Sequence, residues 1–382
     1  MKEQLKIAVL APYRIYPALS GGQRCTALLY KYLSESLPVM MLSVDSNSAP
    51  EKSNVVLKKI MGNSFLRYAN PFLFFRALRF IKANACTHLV LEHPYFGWLG
   101  WMLRRSCNVQ LVVHSHNIEG LRFRSMGKWW WRILRSYERW THQQADINFF
   151  ITQEDLDHAR SDFKLEKENC HVITYGTDLQ KIPQKEQRIS ARKQIAATHR
   201  ITKNETIILF NGVLDYRPNL DAVDTILKKI NPVLDARNDF DYRIIICGKN
   251  LPDSYDELKA YHEKNIIYPG FVEDISLYFL AADIFINPVK DGGGIKTKLV
   301  EALGFNVPAI STESGAAGVP LSITGNSLTV LADDNDAAFC DAIFKGRSVA
   351  TNIPDAFFGH FYWGNIARKA GEILEHSLTN RR

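Results

Sequence analysis

The sequence lacks what would build a disulfide scaffold, a cysteine metal site or a repeat array. Its six cysteines, Cys25, Cys86, Cys107, Cys170, Cys247 and Cys340, are scattered with no pair at metal-ligand or redox spacing, so reduced thiols are expected and a structural zinc is not. No compositional tract suggests disorder, and no internal repeat has solenoid spacing. Met1-Lys2-Glu3-Gln4 runs straight into an apolar strand, without the long hydrophobic core or cleavage site of a secretory leader, and cytoplasmic retention is the expectation. Acidic residues are missing from residues 52–82, which instead carry Lys52, Lys58, Lys59, Arg67, Arg76, Arg79 and Lys82 among six aromatic residues. A second basic-aromatic stretch, 122–135, includes Trp129, Trp130 and Trp131. Neither can span a bilayer. Both suit peripheral contact with anionic headgroups, at the inner face of the plasma membrane, or else a buried aromatic core with a solvated basic face. No nucleic-acid-binding module accompanies the charge, and no nucleic-acid partner is expected.

At 382 residues the chain exceeds the size at which a single core stops growing, and two domains of roughly 180 residues each are favoured. Leu5 to Ala11 is a continuous apolar run of the kind found in buried parallel strands, and Gly21-Gly22 opens a helical stretch. Strand and helix signals then alternate to about Gly176. Charged residues dominate from about 179 to 204, where we place the boundary, and the alternation restarts at Thr206. The fold class is therefore α/β, with two Rossmann-like domains facing a central cleft. The expected division is 1–185, 200–360, and a final helix at 361–382 that crosses back to the first domain.

Ligands collect at the carboxyl ends of strands in such sheets, so the loops there carry the candidate site. The richest is Asp291-Gly292-Gly293-Gly294-Ile295-Lys296-Thr297-Lys298, read as a glycine loop entering a helix near Thr297. Free backbone amides at a helix start, with Lys296 and Lys298 beside them, suit a diphosphate, while Glu301, one turn on, suits a sugar diol. A plain glycine-rich turn before a solvated helix is the alternative. Gly21 and Gly22 allow close approach of a phosphate or sugar, or simply form a turn. His116 and Asn117, just past an apolar strand with Glu119 in the same loop, can hydrogen-bond a sugar or steady a developing charge. Histidines in such places are often structural, and His114 is the weaker candidate. Gly212 to Asn219 contains one cation, Arg217, which can reach a phosphate. Gly248, Phe271 and Val272 lie in strand-end loops suited to gripping a nucleobase.

Taken together these motifs resemble glycosyltransferase family 4, retaining nucleotide-sugar-dependent enzymes of the GT-B fold. The resemblance runs from Gly21-Gly22 through His116 to Glu119, Val172 to Asp178, Gly212 to Asn219, Pro269 to Asp274 and Gly292 to Gly304, ending at Tyr362-Trp363. It implies a donor held mainly by the second domain, with Glu301 on the nucleotide ribose, His116 on the transferred sugar, and Gly22 near the donor phosphates. Gly293, Gly294 and Ile295 complete the implied donor site. The sequence departs from the family pattern twice. Gly293 stands where the family has the first of two carboxylates, and Val213 and Pro218 stand where it has Arg and Lys. A subgroup with glycine triplets and following basic residues shares these departures, and Lys296 and Lys298, aided by Arg217, are expected to replace the missing cations. Front-face attack on an oxocarbenium-like centre is the implied chemistry, with no metal and no cofactor, the lysines and helix dipole taking a metal's role.

The expected function is transfer of a sugar from a UDP- or GDP-linked donor to a glycan or lipid-linked acceptor in cell-envelope or capsule polysaccharide synthesis. A nucleotide-sugar epimerase would need no acceptor, and a non-catalytic relic would bind nucleotide without turnover. An NAD-dependent dehydrogenase is disfavoured because Ala11 to Gly22 lacks Gly-x-Gly-x-x-Gly.

Overall fold

A computed structural model describes residues 4–18, 20–48, 53–237, 240–346 and 352–379. Lys52 and the last three residues of the expected final helix lie outside these. The chain divides into two compact units, Met1–Gly176 with Trp363–Arg382, and Thr177–Tyr362.

The first unit is built on seven parallel strands: β1 (Ile7–Leu10), β2 (Val39–Val44), β3 (Val56–Met61), β4 (His88–Glu92), β5 (Gln110–Ser115), β6 (Ile147–Phe150) and β7 (Cys170–Val172). Their order is β3-β2-β1-β4-β5-β6-β7, a doubly wound sheet whose direction of winding reverses between β1 and β4. β1, β2, β4, β5 and β6 are buried along their whole length, which is why each is centred on apolar residues, with polar ones such as His88, Glu92 and His114 mostly at the strand ends. β3 has no such run because it is an edge strand exposing Val56, Lys58 and Lys59. The helix Gly97–Cys107 is also unannounced by periodicity. Its glycines let it approach the sheet: a β-carbon on Gly97 would stand 2.0 Å from Thr141 Oγ1, and one on Gly100 2.8 Å from Leu91. The final helix, Trp363–Thr379, packs on Gly21–Leu33. It is pinned where Gln110 Nε2 donates to the Ser377 carbonyl at 2.9 Å.

The second unit contains β8 (Thr206–Val213), β9 (Tyr242–Lys249), β10 (Ile266–Gly270), β11 (Ile284–Asn287), β12 (Ala309–Thr312) and β13 (Leu328–Leu331), ordered β10-β9-β8-β11-β12-β13. The winding reverses between β8 and β11. Asp253–Lys264 is a 3-10 segment interrupted by Asp256, Glu257 and Leu258 in the left-handed region, with φ of 43°, 51° and 57°.

The charged stretch read as a linker contains a helix, Lys185–His199, which belongs to the second unit and packs on Ile275–Ala281. Few apolar residues hold it: Ala191 and Ile195 are buried, and arginines supply the rest. Arg188 donates to the carbonyls of Ala282 at 2.8 Å and Phe305 at 3.0 Å. Charge-assisted bonds to carbonyls contribute about 1.5–3 kcal/mol, and deleting the donor strands its acceptors. Arg188→Ala should lower the unfolding free energy of the second unit by about 2–3 kcal/mol in urea titrations and expose residues 177–199 to protease. Unchanged stability would mean that Ala191, Ile195 and Arg192 hold the helix without Arg188.

Candidate active site

In the first unit the candidate residues gather at the carboxyl ends of β1, β4 and β5, around the reversal of winding. Gly21 and Gly22 begin the helix Gly21–Leu33, capped by Ser20. His116 follows β5, and Asn117, half-buried, comes next. Gly22 and His116 are brought together: a β-carbon on Gly22 would lie 3.9 Å from His116 Nδ1.

Behind them is a residue that the sequence reading did not single out. Glu92, fully buried at the end of β4, accepts four hydrogen bonds. Oε1 takes the Tyr30 hydroxyl at 2.5 Å and His114 Nδ1 at 2.9 Å. Oε2 takes the Thr26 hydroxyl at 3.0 Å and His116 Nε2 at 3.0 Å. Glu92, His114 and His116 are also of metal-ligand type, within 4.8 Å of one another, but four donors already fill the carboxylate's acceptor sites. Next along, His93 adopts φ 66° and lies with its ring centroid 4.5 Å from that of His116. His93 Nδ1 is 3.3 Å from Glu119 Oε1, close but out of line for a hydrogen bond. Glu119 also accepts from the Tyr95 hydroxyl at 2.8 Å and Arg122 at 3.1 Å. Glu138 accepts the Glu119 and Gly120 amides, both at 2.8 Å, which fixes the turn after Asn117.

In the second unit the loops after β8 and β11 meet. The helix of the glycine motif runs Thr297–Gly304, as the sequence predicts, with Lys296 as its N-cap. Gly292 and Gly294 have φ of 93° and 69°, a region open to glycine, and Gly292 lies against Tyr216 and Pro218. Lys296 turns back on its own loop, donating to the carbonyls of Gly292 at 2.6 Å and Gly294 at 3.0 Å. Lys298 is buried: its amine donates to Asn219 Oδ1 at 2.8 Å and lies 4.1 Å from the centre of the Phe210 ring. Arg217 instead points along its own helix to Asp221, at 2.9 Å, and is 81% exposed. Glu301 is half-buried on the motif helix, Gly293 is exposed and Ile295 half-buried. Gly248 and Gly212 have a packing role, because a β-carbon on Gly248 would stand 2.2 Å from the Gly212 carbonyl oxygen. Phe271 is exposed and Val272 half-buried in the loop after β10.

Thr26, Tyr30, Glu92 and His93 were the residues missed. One signal was available: the apolar run Leu89-Val90-Leu91 ends in a charged residue at a strand's carboxyl end.

A family model for Glycosyltransferase Family 4 matches residues 19–181, and one for Glycosyl transferases group 1 matches 205–345. No curated protein sequence matches significantly. Among solved structures, a glycosyltransferase from Rickettsia africae aligns with a TM-score of 0.74 at 16% identity, covering 99% of each chain. Sucrose-phosphate synthase from Thermosynechococcus elongatus gives 0.73 at 16% identity, over 99% of this chain and 100% of that one. HepE from Anabaena, in complex with UDP-glucose, gives 0.70 at 16% identity, over 98% and 100%. At these identities the likeness is one of fold, and it agrees with the GT-B architecture expected from the motifs.

The first unit's buried groups titrate abnormally. Burial, with His93 second, pushes His116 down to about 4, and burial also brings His142 to about 4. Burial pushes Glu138 up to about 8 despite its two amide bonds. Burial alone would raise Glu119, but His93, Arg122 and Tyr95 bring it to about 2. The signs then separate. His116 and His142, neutral in the fold and chargeable when unfolded, contribute stability that is complete above about pH 6.5 and is lost as pH falls toward 4. Glu138 contributes stability present below about pH 4.5 and lost as pH rises through 8. Two histidines outweigh one glutamate on the acid side, so the stability of the first unit should peak near pH 6.5, falling by about 1–3 kcal/mol toward pH 5 and again toward pH 8. Chemical unfolding at pH 5, 6.5 and 8 measures this. Glu138→Gln should remove the alkaline fall and keep the acid one.

Proposed function

The chain belongs to the glycosyltransferases, a Family 4 domain preceding a group 1 domain, and on that premise we propose that it transfers a sugar, with retention, from a UDP- or GDP-linked donor to a glycan or lipid-linked acceptor. The observation that carries the donor reading is the second unit's glycine loop, held against the loop after β8 with Lys298 between them. Lys298 brings its amine to Asn219, beside Pro218, one of the two positions that the resemblance leaves without a cation. Burial, with Lys296 second, holds that amine well below the usual lysine range, so an arriving diphosphate would favour its charged form. The complex of the Anabaena neighbour with UDP-glucose agrees with a uridine diphosphate donor.

In the proposed reaction the bond from the anomeric carbon to the diphosphate breaks, and the acceptor hydroxyl bonds to the same face of that carbon. Its proton passes to an oxygen of the departing diphosphate. In this reading the amides at the start of Thr297–Gly304 meet the growing negative charge, and Lys296 and Lys298 exchange their contacts with the loop carbonyls and Asn219 for the diphosphate, which lowers the barrier. Glu301, on the same helix, takes the ribose hydroxyls. The test is release of nucleoside diphosphate from a panel of UDP-, GDP- and ADP-linked sugars. We expect slow release from one donor, at least ~100-fold weaker in Lys298→Ala and Glu301→Ala. Product from the donor alone with the diphosphate retained would favour an epimerase, and calorimetric binding without turnover, even with lipid-linked acceptors, a relic.

An envelope or capsule acceptor is supported by the first unit's surface. Phe65, Leu66, Phe72 and Phe75 are 81%, 76%, 72% and 64% exposed, beside exposed Arg76, Arg79 and Lys82. Trp129 is 84% exposed in the second basic-aromatic stretch, with Arg124, Lys128 and Arg132 also exposed. Exposed rings with cations and no acid between them fit an anionic bilayer surface. No helix among the described residues is long and apolar enough to cross a membrane. The protein should co-sediment with vesicles containing phosphatidylglycerol and not with phosphatidylcholine alone. Phe72→Ser combined with Phe75→Ser should weaken that binding at least ~10-fold, and equal binding to both vesicle types would remove the membrane from the reading.

A further inference from the structure

The four bonds to Glu92 settle a proton position in the candidate site. An ionised carboxylate accepts and cannot donate, so each of its partners must be a donor. Burial alone would raise Glu92, but His114 and His116 outweigh it and hold the carboxyl well below the usual range, so it is ionised. His116 therefore carries its N–H on Nε2, 3.0 Å from Glu92 Oε2. A neutral imidazole has one proton to place, which leaves a lone pair on Nδ1. Nδ1 is the atom that faces Gly22, at the start of Gly21–Leu33.

We propose that Glu92 is a positioning residue that locks His116 in the Nε2–H tautomer, so that its Nδ1 accepts a hydrogen bond from a sugar hydroxyl brought against Gly22. This rests on the transferase reading for the identity of the ligand, and on the geometry of the first unit alone for the lock. Thr26 and Tyr30, from the helix after β1, complete the shell around the carboxylate. The Tyr30 phenol is held protonated, and hence a donor, by burial and by Glu92 itself. Because burial keeps His116 neutral down to about 4, the accepting form persists at physiological pH. The site then distinguishes donor from acceptor at one position of the sugar: a hydroxyl is recognised, whereas a fluorine in its place, which cannot donate, is not.

Nitrogen-15 NMR of the full chain labelled in histidine reads the tautomer directly, with His116 assigned by its loss in His116→Gln. The expected signature is a neutral Nε2–H ring from pH 8 to 5.5. In Glu92→Gln the amide can donate to Nε2, and the ring should shift toward the Nδ1–H form. In Tyr30→Phe, which removes a different donor from the same carboxylate, the tautomer should stay. Kinetics supply the second readout. Glu92→Gln should lower kcat by ~10–100-fold with little change in KM for the nucleotide-sugar, and Glu92→Asp should restore part of it. A series of deoxyfluoro donors should show one position at which fluorine costs the wild type at least ~10-fold and costs Glu92→Gln little. A folded Glu92→Gln with the wild-type tautomer, or an Nδ1–H ring in the wild type, overturns the lock. If Glu92→Gln does not fold, Glu92→Asp and the wild-type spectrum still decide it. Absence of turnover with every donor would count against the transferase reading and leave the NMR result standing.

Discussion

A carboxylate sealed from water must be surrounded by donors, and Glu92 imposes that condition on everything near it. Ionised and buried at the end of β4, it faces a desolvation cost of several kcal/mol. Four hydrogen bonds to a charged acceptor, each contributing about 1.5–3 kcal/mol, can offset a cost of that size only if all are made together. The partners come from different elements: Thr26 and Tyr30 from the helix after β1, His114 from β5, His116 from the loop beyond it. Satisfying one buried charge thus sets the relative positions of three elements around the point where the winding reverses. The orientation of His116 is a by-product of that satisfaction and needs no ligand.

The second unit answers the same topological problem with the opposite sign. There the reversal lies between β8 and β11, and the buried charge-bearing group is Lys298, from the helix after β11, bonded to Asn219 in the helix after β8. In the first unit the link runs from β4 to the helix after β1. Each unit therefore ties the two sides of its reversal with one buried ionisable side chain, acidic in the first and basic in the second. A hydroxyl-rich, uncharged ligand suits the acid-and-imidazole site of the first unit, and a diphosphate suits the amide-and-amine site of the second.

How much of this the sequence reveals depends on whether a feature is local. Buried parallel strands are legible where they contain an apolar run, as at 7–10 in β1, 111–113 in β5, 207–210 in β8 and 284–286 in β11. The strands without such a reading, β3 and β13, are edge strands with exposed residues. Lys185–His199 reads as a charged linker because Arg188 and Arg192 hold it through guanidinium-to-carbonyl bonds that hydrophobic periodicity does not register. In the site, Gly22 and His116 are recognisable as strand-end loop residues. Glu92 is not, since its partners lie 62, 66, 22 and 24 positions away and only the strand order brings them together. The lysines are legible as cations, but the direction of each is a tertiary matter: Lys296 closes its own loop, and Lys298 turns inward.

Gly293 shows where a backbone argument ends and a chemical one begins. Gly292 and Gly294, on either side of it, have positive φ, so a side chain at either would strain the loop. Gly293 does not adopt that region and is exposed, so the backbone conformation would admit another residue there. The missing family carboxylate is therefore not forced by the turn. With glycine at 293, the proposed reaction relies on the departing diphosphate to take the acceptor's proton. The more tightly amides and amines hold that diphosphate, the better it leaves and the weaker a base it becomes. A buried amine held below its usual basicity, bonded to an amide oxygen and not to a carboxylate, lies between those demands: it is free of a competing counter-ion and can gain charge as the diphosphate does. Lys298 is thus better suited to stabilising the leaving group than an exposed cation such as Arg217, whose charge is screened by water and shared with Asp221.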